Sequence, residues 1–316
     1  MLAVSEVTRL TLFYPGAAGI SHAAEGGRLS MKKHHRRRSA GRRLCLFLIC
    51  AVLFAGFLFW ENTALQTTFF HLTFPHLPEG FDGCRIAVIA DSHSAEFGEE
   101  NQTLFAAIEA QNPDYIFHLG DLEDSNRPRK PGYAETMADG LTAIAPTYYV
   151  TGNHEWANGG VPELKDCLRD HGVHVLSNQF VPLERNGDVL ILAGIDDPNG
   201  RADQKTPEEL ADEVREACGD AFWMLMAHRN NRFENQYSLL GADLVLAGHG
   251  HGGVIRLPFT DGLVDADRTL FPHYTSGVYE LNGSTLFVTR GVGNSGISLR
   301  LFNRPEIAAL TLHKAD

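Results

Sequence analysis

Two histidines separated by one glycine, His249 and His251, lie in the stretch GHGHGG at residues 248 to 253. The segment otherwise carries no side chains, and a simple turn would not require two imidazoles. Polar residues occur at four further places next to apolar runs; they are Asp91 and His93, Asp121 and Asp124, Asn153 and His154, and His228. Imidazole and carboxylate groups are ligands for Zn, Mn, Fe and similar ions, and the sequence has no CxxC motif to favour a structural zinc site. The residue types therefore predict a metal centre.

The apolar runs beside these residues are typical of buried strands. They are RIAVIAD (85–91), YIFHLGD (115–121), TYYVTGNHE (147–155), FWMLMAHR (222–229) and ADLVLAGHGH (242–251). Helical patterns alternate with them at 101–114 and at 206–218, where Thr206 and Glu209 form a capping box. Strands that alternate with helices predict an α/β domain with a largely parallel sheet. Because ligands bind outside the carboxyl ends of strands in such sheets, we expect the polar residues to meet in one crevice.

Each polar residue has a structural alternative when it is considered alone. A histidine at a strand end is often a hydrogen-bonded structural residue, Asp91 would serve as a cap, and Asn153 as a turn residue. Their joint occurrence at equivalent positions favours a functional site, since ionisable groups cluster at such sites. His118 lies inside an apolar strand pattern and is interpreted as structural.

In the last part of the chain, residues 254 to 312, strand-like runs no longer alternate with helical patterns. YELNGSTLFVTR (279–290) places Asn-Gly between two strand-like runs, which indicates a hairpin. EIAALTL (306–312) is typical of a final strand. We expect these strands to extend the sheet system and not to form a separate domain.

The N-terminal region has the features of a membrane segment. MKKHHRRRSAGRR (31–43) is basic, and LCLFLICAVLFAGFLFW (44–60) contains no charge, at the short limit for a spanning helix. The basic flank predicts a cytoplasmic N-terminus and an extracytoplasmic domain at residues 63–316. A cleaved signal peptide and a buried core helix are the alternatives, and the poor cleavage site favours an uncleaved single-pass anchor in the cell membrane. We also hypothesise that translation starts at Met31, so that residues 1–30 of the tail 1–43 are not translated.

The charge of the chain is unevenly distributed. Residues 1–60 carry nine Lys and Arg and two Asp and Glu, whereas residues 61–316 carry 18 and 37. A domain this acidic repels polyanions, so we expect no nucleic acid partner. The basic cluster of Arg127, Arg129 and Lys130 could meet a phosphate, although such surface charges are usually solvated.

The order of the motifs resembles that of a known family. ADSH (90–93), GDLED (120–124), GNHE (152–155), His228 and GHGH (248–251) match the series D-x-H, G-D-x-x-D, G-N-H-[DE], H and G-H-x-H of the calcineurin-like metallophosphoesterases. The sequence looks closest to their membrane-anchored or exported bacterial branch over about residues 63–316. The resemblance implies an α/β fold, a four-layer α/β/β/α sandwich of two mixed sheets, preceded here by one transmembrane helix. Gly250 departs from the branch, which usually has Thr there, and we expect altered loop flexibility without loss of metal.

The resemblance also implies a dinuclear centre of two divalent or transition metal ions, Mn, Fe or Zn. Carried over residue by residue, the metal ligands would be Asp91, His93 and His251 on one ion, Asn153, His228 and His249 on the other, and Asp121 between them. A bridging hydroxide would then attack phosphorus. His154 would protonate the leaving oxygen or stabilise the charge of the phosphorane, with a role as a further metal ligand as the alternative, and Asp124 would orient His154.

The predicted function is metal-dependent hydrolysis of phosphoester bonds in a small molecule or a lipid head group. One alternative, suggested by the anchor, is a membrane lipid pyrophosphatase that cleaves a nucleotide-linked glycolipid. The other is a non-catalytic scaffold that retains the fold. Retention of all seven ligand residues argues against the scaffold.

Overall fold

The computed structural model describes residues 28–200, 204–257, 261–265, 267–295 and 299–315. Residues 1–27, which include most of the segment hypothesised to be untranslated, lie outside the described residues. Residues up to Phe54 form one unit, and Ala55–Asp316 form a second. The first helix, α1 (Arg28–Thr63), begins in the first unit and ends in the second.

One helical segment of the described chain, Ala40–Thr63, is long and apolar enough to cross a membrane. Its large apolar side chains are exposed; Phe47, for example, is 67% exposed and Val52 is 71% exposed. A core helix of a soluble protein would be mostly buried. The segment begins four residues before the stretch 44–60 predicted from the sequence and ends three residues after it.

Six strands form the first sheet, in the order β1-β12-β2-β3-β4-β5. Their bounds are β1 (Gln66–Phe74), β2 (Arg85–Ile89), β3 (Tyr115–His118), β4 (Thr147–Tyr149), β5 (His174–Val175) and β12 (Glu306–Lys314). Strands β2 to β5 are parallel to one another, while β12 pairs parallel with β1 and antiparallel with β2. The predicted last strand therefore occupies an interior position of this sheet.

Six further strands form the second sheet, in the order β10-β11-β9-β8-β7-β6. Their bounds are β6 (Gln179–Arg185), β7 (Asp188–Gly194), β8 (Trp223–Arg229), β9 (Leu244–Gly248), β10 (Gly277–Leu281) and β11 (Ser284–Val288). The pairs β7–β8, β8–β9 and β9–β11 are parallel, whereas both edges are antiparallel hairpins. The turn between β10 and β11 contains the predicted Asn282-Gly283 pair, with both residues at positive φ.

Five helices follow α1 and cover the sheets or connect their strands. They are α2 (Gln102–Glu109), α3 (Tyr133–Thr142), α4 (Asn153–Asn158), α5 (Val161–Asp170) and α6 (Pro207–Cys218). The capping box predicted for α6 is present, since the Glu209 N–H donates to Thr206 Oγ1 at 3.1 Å and the Thr206 N–H donates to Glu209 Oε2 at 2.8 Å. The strand predicted at 147–155 is shorter than expected, because the chain leaves β4 at Tyr149 and starts α4 at Asn153.

Three apolar clusters show how the layers are stacked. The largest lies between the two sheets and includes Val88 and Phe117 from one sheet and Leu192 and Leu246 from the other. A second cluster packs α2, α3 and α5 on the outer face of the first sheet, and a third packs α6 on the outer face of the second. The domain is thus a four-layer α/β/β/α sandwich of two mixed sheets, which confirms the expected fold class.

Candidate metal centre

Three strands of the first sheet and two of the second end at the candidate site. Asp91 and His93 follow β2, Asp121 follows β3, and Asn153 opens α4 directly after β4; His228 lies in β8, and His249 and His251 follow β9. Strands β2, β3 and β4 are parallel, as are β8 and β9, so their carboxyl ends lie at the same edge of each sheet. This topology brings the residues predicted from the sequence together in one crevice, outside the carboxyl ends of the strands.

The backbone is unusual at five of these residues. Asp91, His93, Asp121, His249 and His251 all have positive φ, between 45° and 66°. Non-glycine residues avoid this region because Cβ is crowded there, and such conformations cluster at functional sites. The surrounding structure thus holds these five side chains in a strained arrangement.

One group of side chains consists of Asp91, His93 and His251, all of them buried. The Nε2 atoms of His93 and His251 are 3.1 Å apart, and the Asp91 Oδ1 atom is 3.6 Å from His251 Nε2 and 4.0 Å from His93 Nε2. Burial lowers the pKa of His93 to about 4 and holds the pKa of His251 well below its usual value. Both rings are therefore neutral near pH 7 and retain a nitrogen lone pair for a cation.

A second group consists of Asp121, His228 and His249, with Asn153 beside them. His228 Nε2 lies 3.2 Å from Asp121 Oδ2 and 3.2 Å from Asn153 Oδ1. The other ring nitrogen, His228 Nδ1, lies 2.7 Å from the carbonyl oxygen of Leu119, to which it donates. A ring fixed in this way directs Nε2 towards the centre, as metal-ligating histidines do.

The carboxylate of Asp121 stands between the two groups. Its Oδ2 atom is 3.7 Å from His93 Nε2 in the first group and 3.2 Å from His228 Nε2 in the second. Burial disfavours the charged forms of Asp121 and His228, but their mutual attraction outweighs it, so the pKa of Asp121 is well below its ordinary value and that of His228 is about 10. A buried carboxylate that requires a cationic neighbour is suited to a metal ion.

The donor atoms therefore fit metal ions. They combine imidazole nitrogens with carboxylate and amide oxygens, a set that Zn, Mn and Fe accept, and metal binding would displace the proton that His228 carries. Ring nitrogens face one another at 3.1 Å across the first group, and the buried His93 Nδ1 has no hydrogen-bond partner in the described part of the chain. A cation bound in each group would accept the lone pairs of these nitrogen and oxygen atoms, which otherwise face one another.

His154 lies at the edge of the centre, with its Nε2 atom 4.0 Å from Asp121 Oδ2. Asp124 is close to it, with Oδ1 3.3 Å from His154 Nδ1. The Ser125 backbone N–H donates to the same Nδ1 atom at 2.9 Å. A neutral ring that accepts at Nδ1 carries its proton on Nε2, facing the site. The side chain of Ser125 was not identified from the sequence, and it also contacts Nδ1 at 2.8 Å.

Glu155 accepts hydrogen bonds from the loops that carry the candidate ligands. The sequence analysis gave this residue no role. Its Oε2 atom accepts the N–H groups of Asp121 at 3.0 Å and Gly152 at 2.7 Å, and its Oε1 atom accepts the Glu123 N–H at 3.1 Å. One buried side chain thus joins the loop after β3 to the start of α4. Burial, followed by the charge of Asp121, raises the pKa of Glu155 to about 8. The position of Glu155 in the motif GNHE (152–155) was the sequence feature that could have indicated this role.

Two further residues reach the centre from the last part of the chain. Asp267 Oδ2 is 3.2 Å from His249 Nε2, and the Asn303 side chain donates to the carbonyl oxygen of His251 at 2.7 Å. Asp267 lies in none of the motifs found in the sequence, and the sequence analysis gave neither residue a role. Long-range folding alone brings them to the site.

Other residues considered in the sequence have structural partners. His118 Nε2 contacts Ser92 Oγ at 2.9 Å inside the core, in agreement with its structural interpretation. The basic cluster is paired with acidic side chains: Arg127 with Asp124, Arg129 with Glu123, and Lys130 with Glu96. These pairings account for much of the positive charge of the loop.

Gly250, between the two histidines, is tightly packed. Its φ of −73° is accessible to any residue, but a Cβ atom there would lie 2.6 Å from Asn230 Nδ2. Asn230 is buried and donates to the carbonyl oxygen of Tyr274 at 2.8 Å. The glycine that departs from the family pattern therefore makes room for a neighbouring side chain.

Comparison with known proteins identifies relatives of the chain. The family model of the calcineurin-like phosphoesterases matches residues 84–253. An uncharacterized metallophosphoesterase of Campylobacter jejuni, Cj0846, is 30% identical over 84% of this chain and 70% of its own length. The uncharacterized metallophosphoesterase YkuE of Bacillus subtilis is 28% identical over 81% of this chain and 88% of its own.

The name of one vertebrate relative refers to a transmembrane segment and to a metallophosphoesterase domain. The transmembrane protein with metallophosphoesterase domain of Danio rerio is 28% identical over 76% of this chain. The match covers 55% of that protein, so the chain spans about half of its length.

Proposed function

Because this chain belongs to the calcineurin-like phosphoesterase family and is a metallophosphoesterase, we propose that it hydrolyses phosphoester bonds with a dinuclear metal centre. The observation that carries the proposal is the position of Asp121, whose Oδ2 atom lies between His93 and His228. A carboxylate placed in this way is suited to bridging two cations.

The proposed ligands follow the two groups of side chains. Asp91, His93 and His251 would hold one ion. Asn153, His228 and His249 would hold the other, with Asp121 shared. When bound, two cations supply an acidified water as the nucleophile and a clamp for the oxygens on phosphorus.

His154 is the proposed proton donor to the leaving oxygen. As a proton donor the ring would be the imidazolium, which would offer Nε2–H to the leaving oxygen. The carboxylate of Asp124, whose Oδ1 atom lies 3.3 Å from His154 Nδ1, would stabilise this charged ring and orient it. The bond from phosphorus to the ester oxygen breaks as water adds, and the leaving alcohol takes the proton.

The cellular location is also a proposal. The chain has one candidate membrane-spanning helix in its described part, and a relative is named as a transmembrane protein. The seven Lys and Arg at residues 31–43 would keep the N-terminus in the cytoplasm. We therefore propose a single-pass membrane protein whose catalytic domain, residues 63–316, faces away from the cytoplasm.

The test is metal reconstitution of the full chain in detergent. Purified protein is stripped with a chelator, reloaded with Mn, Fe or Zn, and examined by elemental analysis and by hydrolysis of p-nitrophenyl phosphate and bis(p-nitrophenyl) phosphate. We expect about two ions per chain and hydrolysis that requires them. A chain that binds about two ions and cleaves neither ester would contradict the catalytic proposal and favour a scaffold.

A further inference from the structure

A cavity of about 370 Å³ lies beside the candidate metal centre. Its lining includes Asn62 and Thr63 at the end of α1, Phe97 from the loop after β2, Arg127 from the loop after β3, and Val292 and Asn294 from the loop after β11. All of these residues belong to the unit that starts at Ala55. The volume falls at the lower end of the range of about 300 to 1,000 Å³ that ligand pockets occupy.

Two residues of the cavity lining are each connected to the proposed proton donor through one intermediate residue. Arg127 lines it and pairs with Asp124 at 3.3 Å, and Asp124 in turn contacts His154. Asn294 lines it and is followed by Ser295, whose Oγ atom is 3.4 Å from His154 Nε2. A group attached to the leaving oxygen would therefore lie close to the cavity.

The charges of the lining are matched, which argues against a second phosphate site. Arg127 is paired with Asp124, and Glu96 is paired with Lys130. Apolar atoms come from Ala95, Phe97 and Val292. The charges of this cavity are paired, and its lining combines apolar side chains with the uncharged polar ones of Asn62, Thr63, Thr103 and Asn294. Such a lining suits the organic part of an ester more than another anion.

The wall formed by α1 connects the cavity to the candidate membrane segment. Asn62 is fixed there, because its side chain accepts the Arg300 N–H at 2.6 Å and donates to the Arg300 carbonyl oxygen at 3.0 Å. Trp60, two residues earlier, is 48% exposed, and the Arg304 guanidinium lies 4.4 Å from the centre of its ring. Tryptophan is enriched at the membrane–water interface, and two residues of helix rise only about 3 Å. The cavity wall is therefore at the level along α1 where lipid head groups are expected.

We propose that this cavity binds the lipid portion next to the phosphorus of a membrane phosphoester, so that the enzyme acts on lipids that it takes from the bilayer surface. The inference rests on the proposed function, since it names the substrate class of the same site. Hydrolysis transfers the oxygen of water to phosphorus and a proton to the leaving ester oxygen, and the alkyl part remains in the cavity until it is released.

The test compares two phosphate monoesters that differ only in the alkyl group, hexadecyl phosphate and ethyl phosphate, by release of inorganic phosphate, so that the alkyl oxygen is the leaving oxygen in both. Both are assayed with the metal-loaded full chain in detergent micelles. We expect kcat/KM for the hexadecyl ester to exceed that for the ethyl ester by at least about tenfold, or about 1.4 kcal/mol, which burial of about two CH₂ groups supplies.

Thr63→Trp fills the cavity from its wall, and Thr73→Trp is the matched control on an exposed position of β1 outside the lining. We expect Thr63→Trp to remove the preference for the hexadecyl ester and Thr73→Trp to leave that preference unchanged. Equal turnover of the two esters by the wild-type chain, or a preference that survives Thr63→Trp, would overturn the proposal. Failure of the wild-type chain to cleave either ester would instead count against the proposed function.

Discussion

The buried carboxylate of Glu61 accepts the backbone N–H of Asn303 at 3.0 Å. Asn303 in turn donates from its side chain to the carbonyl oxygens of His251 at 2.7 Å and Val254 at 3.1 Å. The last turn of α1 is thus connected through one asparagine to a proposed metal ligand. This connection makes the end of the helix part of the scaffold of the centre.

Asn303→Ala should weaken both the fold and the metal site. The substitution leaves the carbonyl oxygens of His251 and Val254 without this donor, at about 1 to 3 kcal/mol for each group that stays buried and unsatisfied. We expect a lower free energy of unfolding in urea and weaker metal binding in a titration. Asn199→Ala, at an exposed position, is the control and should change neither quantity. Wild-type metal affinity in Asn303→Ala would show that the connection does not position His251.

Metal stoichiometry should distinguish the shared ligand from the others. Because the Asp121 carboxylate lies between both groups, Asp121→Ala should reduce bound metal from about two ions per chain to nearly none, whereas His251→Ala should leave about one. Elemental analysis of the purified variants measures this directly. Equal losses in the two variants would contradict a bridging role for Asp121.

Metal removal should also lower the stability of the wild-type chain. Ions that bind only the folded protein stabilise it by about 2.7 kcal/mol at one hundred times the dissociation constant. We expect thermal unfolding of the wild-type chain to shift upwards when Mn or Zn is restored after chelation. The shift should be smaller in His251→Ala, and an unchanged melting temperature in the wild-type chain would argue against a site formed by folding.

Glu155→Gln should destabilise the loops that carry Asp121 and Asn153. The carboxylate accepts three backbone N–H groups through its two oxygens, and an amide has only one oxygen. At least one buried N–H group then faces an NH₂ group, at about 1 to 3 kcal/mol. Chemical denaturation above pH 8, where Glu155 is ionised, measures the loss, with Glu216→Gln on the exposed side of α6 as the control. Equal stability of the two variants would mean that Glu155 does not tie these loops together.

Gly250→Ala should destabilise the fold because the new methyl group would clash with the side chain of Asn230. The substitution Asn230→Ala should relieve this clash. The new Cβ atom would lie 2.6 Å from Asn230 Nδ2, and overpacking of this kind typically costs about 1 to 3 kcal/mol. In the double variant with Asn230→Ala, the loss should be smaller than the sum of the two single losses, by about 0.5 kcal/mol or more. Thermal unfolding of the four proteins completes the cycle. Strict additivity would contradict the packing explanation.

The sequence by itself was sufficient to predict the class of the fold and to propose which residues form the candidate site. Asp91, Asp121 and His249 could be identified because each directly follows an apolar run, and strand length and periodicity are local properties of the chain. The capping box at Thr206 was predicted for the same reason, since its two partners are three residues apart. The fixed order of the motifs then indicated the family.

Only the tertiary structure decided which residues support that inventory. Glu61 and Asn303 are 242 residues apart, and Asp267 meets His249 across a segment without regular pattern. Strand β12 pairs between β1 and β2, and Asn303, shortly before this strand, meets Glu61 at the end of α1. Such contacts depend on how distant segments pack, and the polar partner of a buried group leaves no periodic signal in the sequence. The candidate ligand residues could therefore be predicted from local sequence patterns. The residues that hydrogen-bond to them could not, because long-range packing brings these residues to the site.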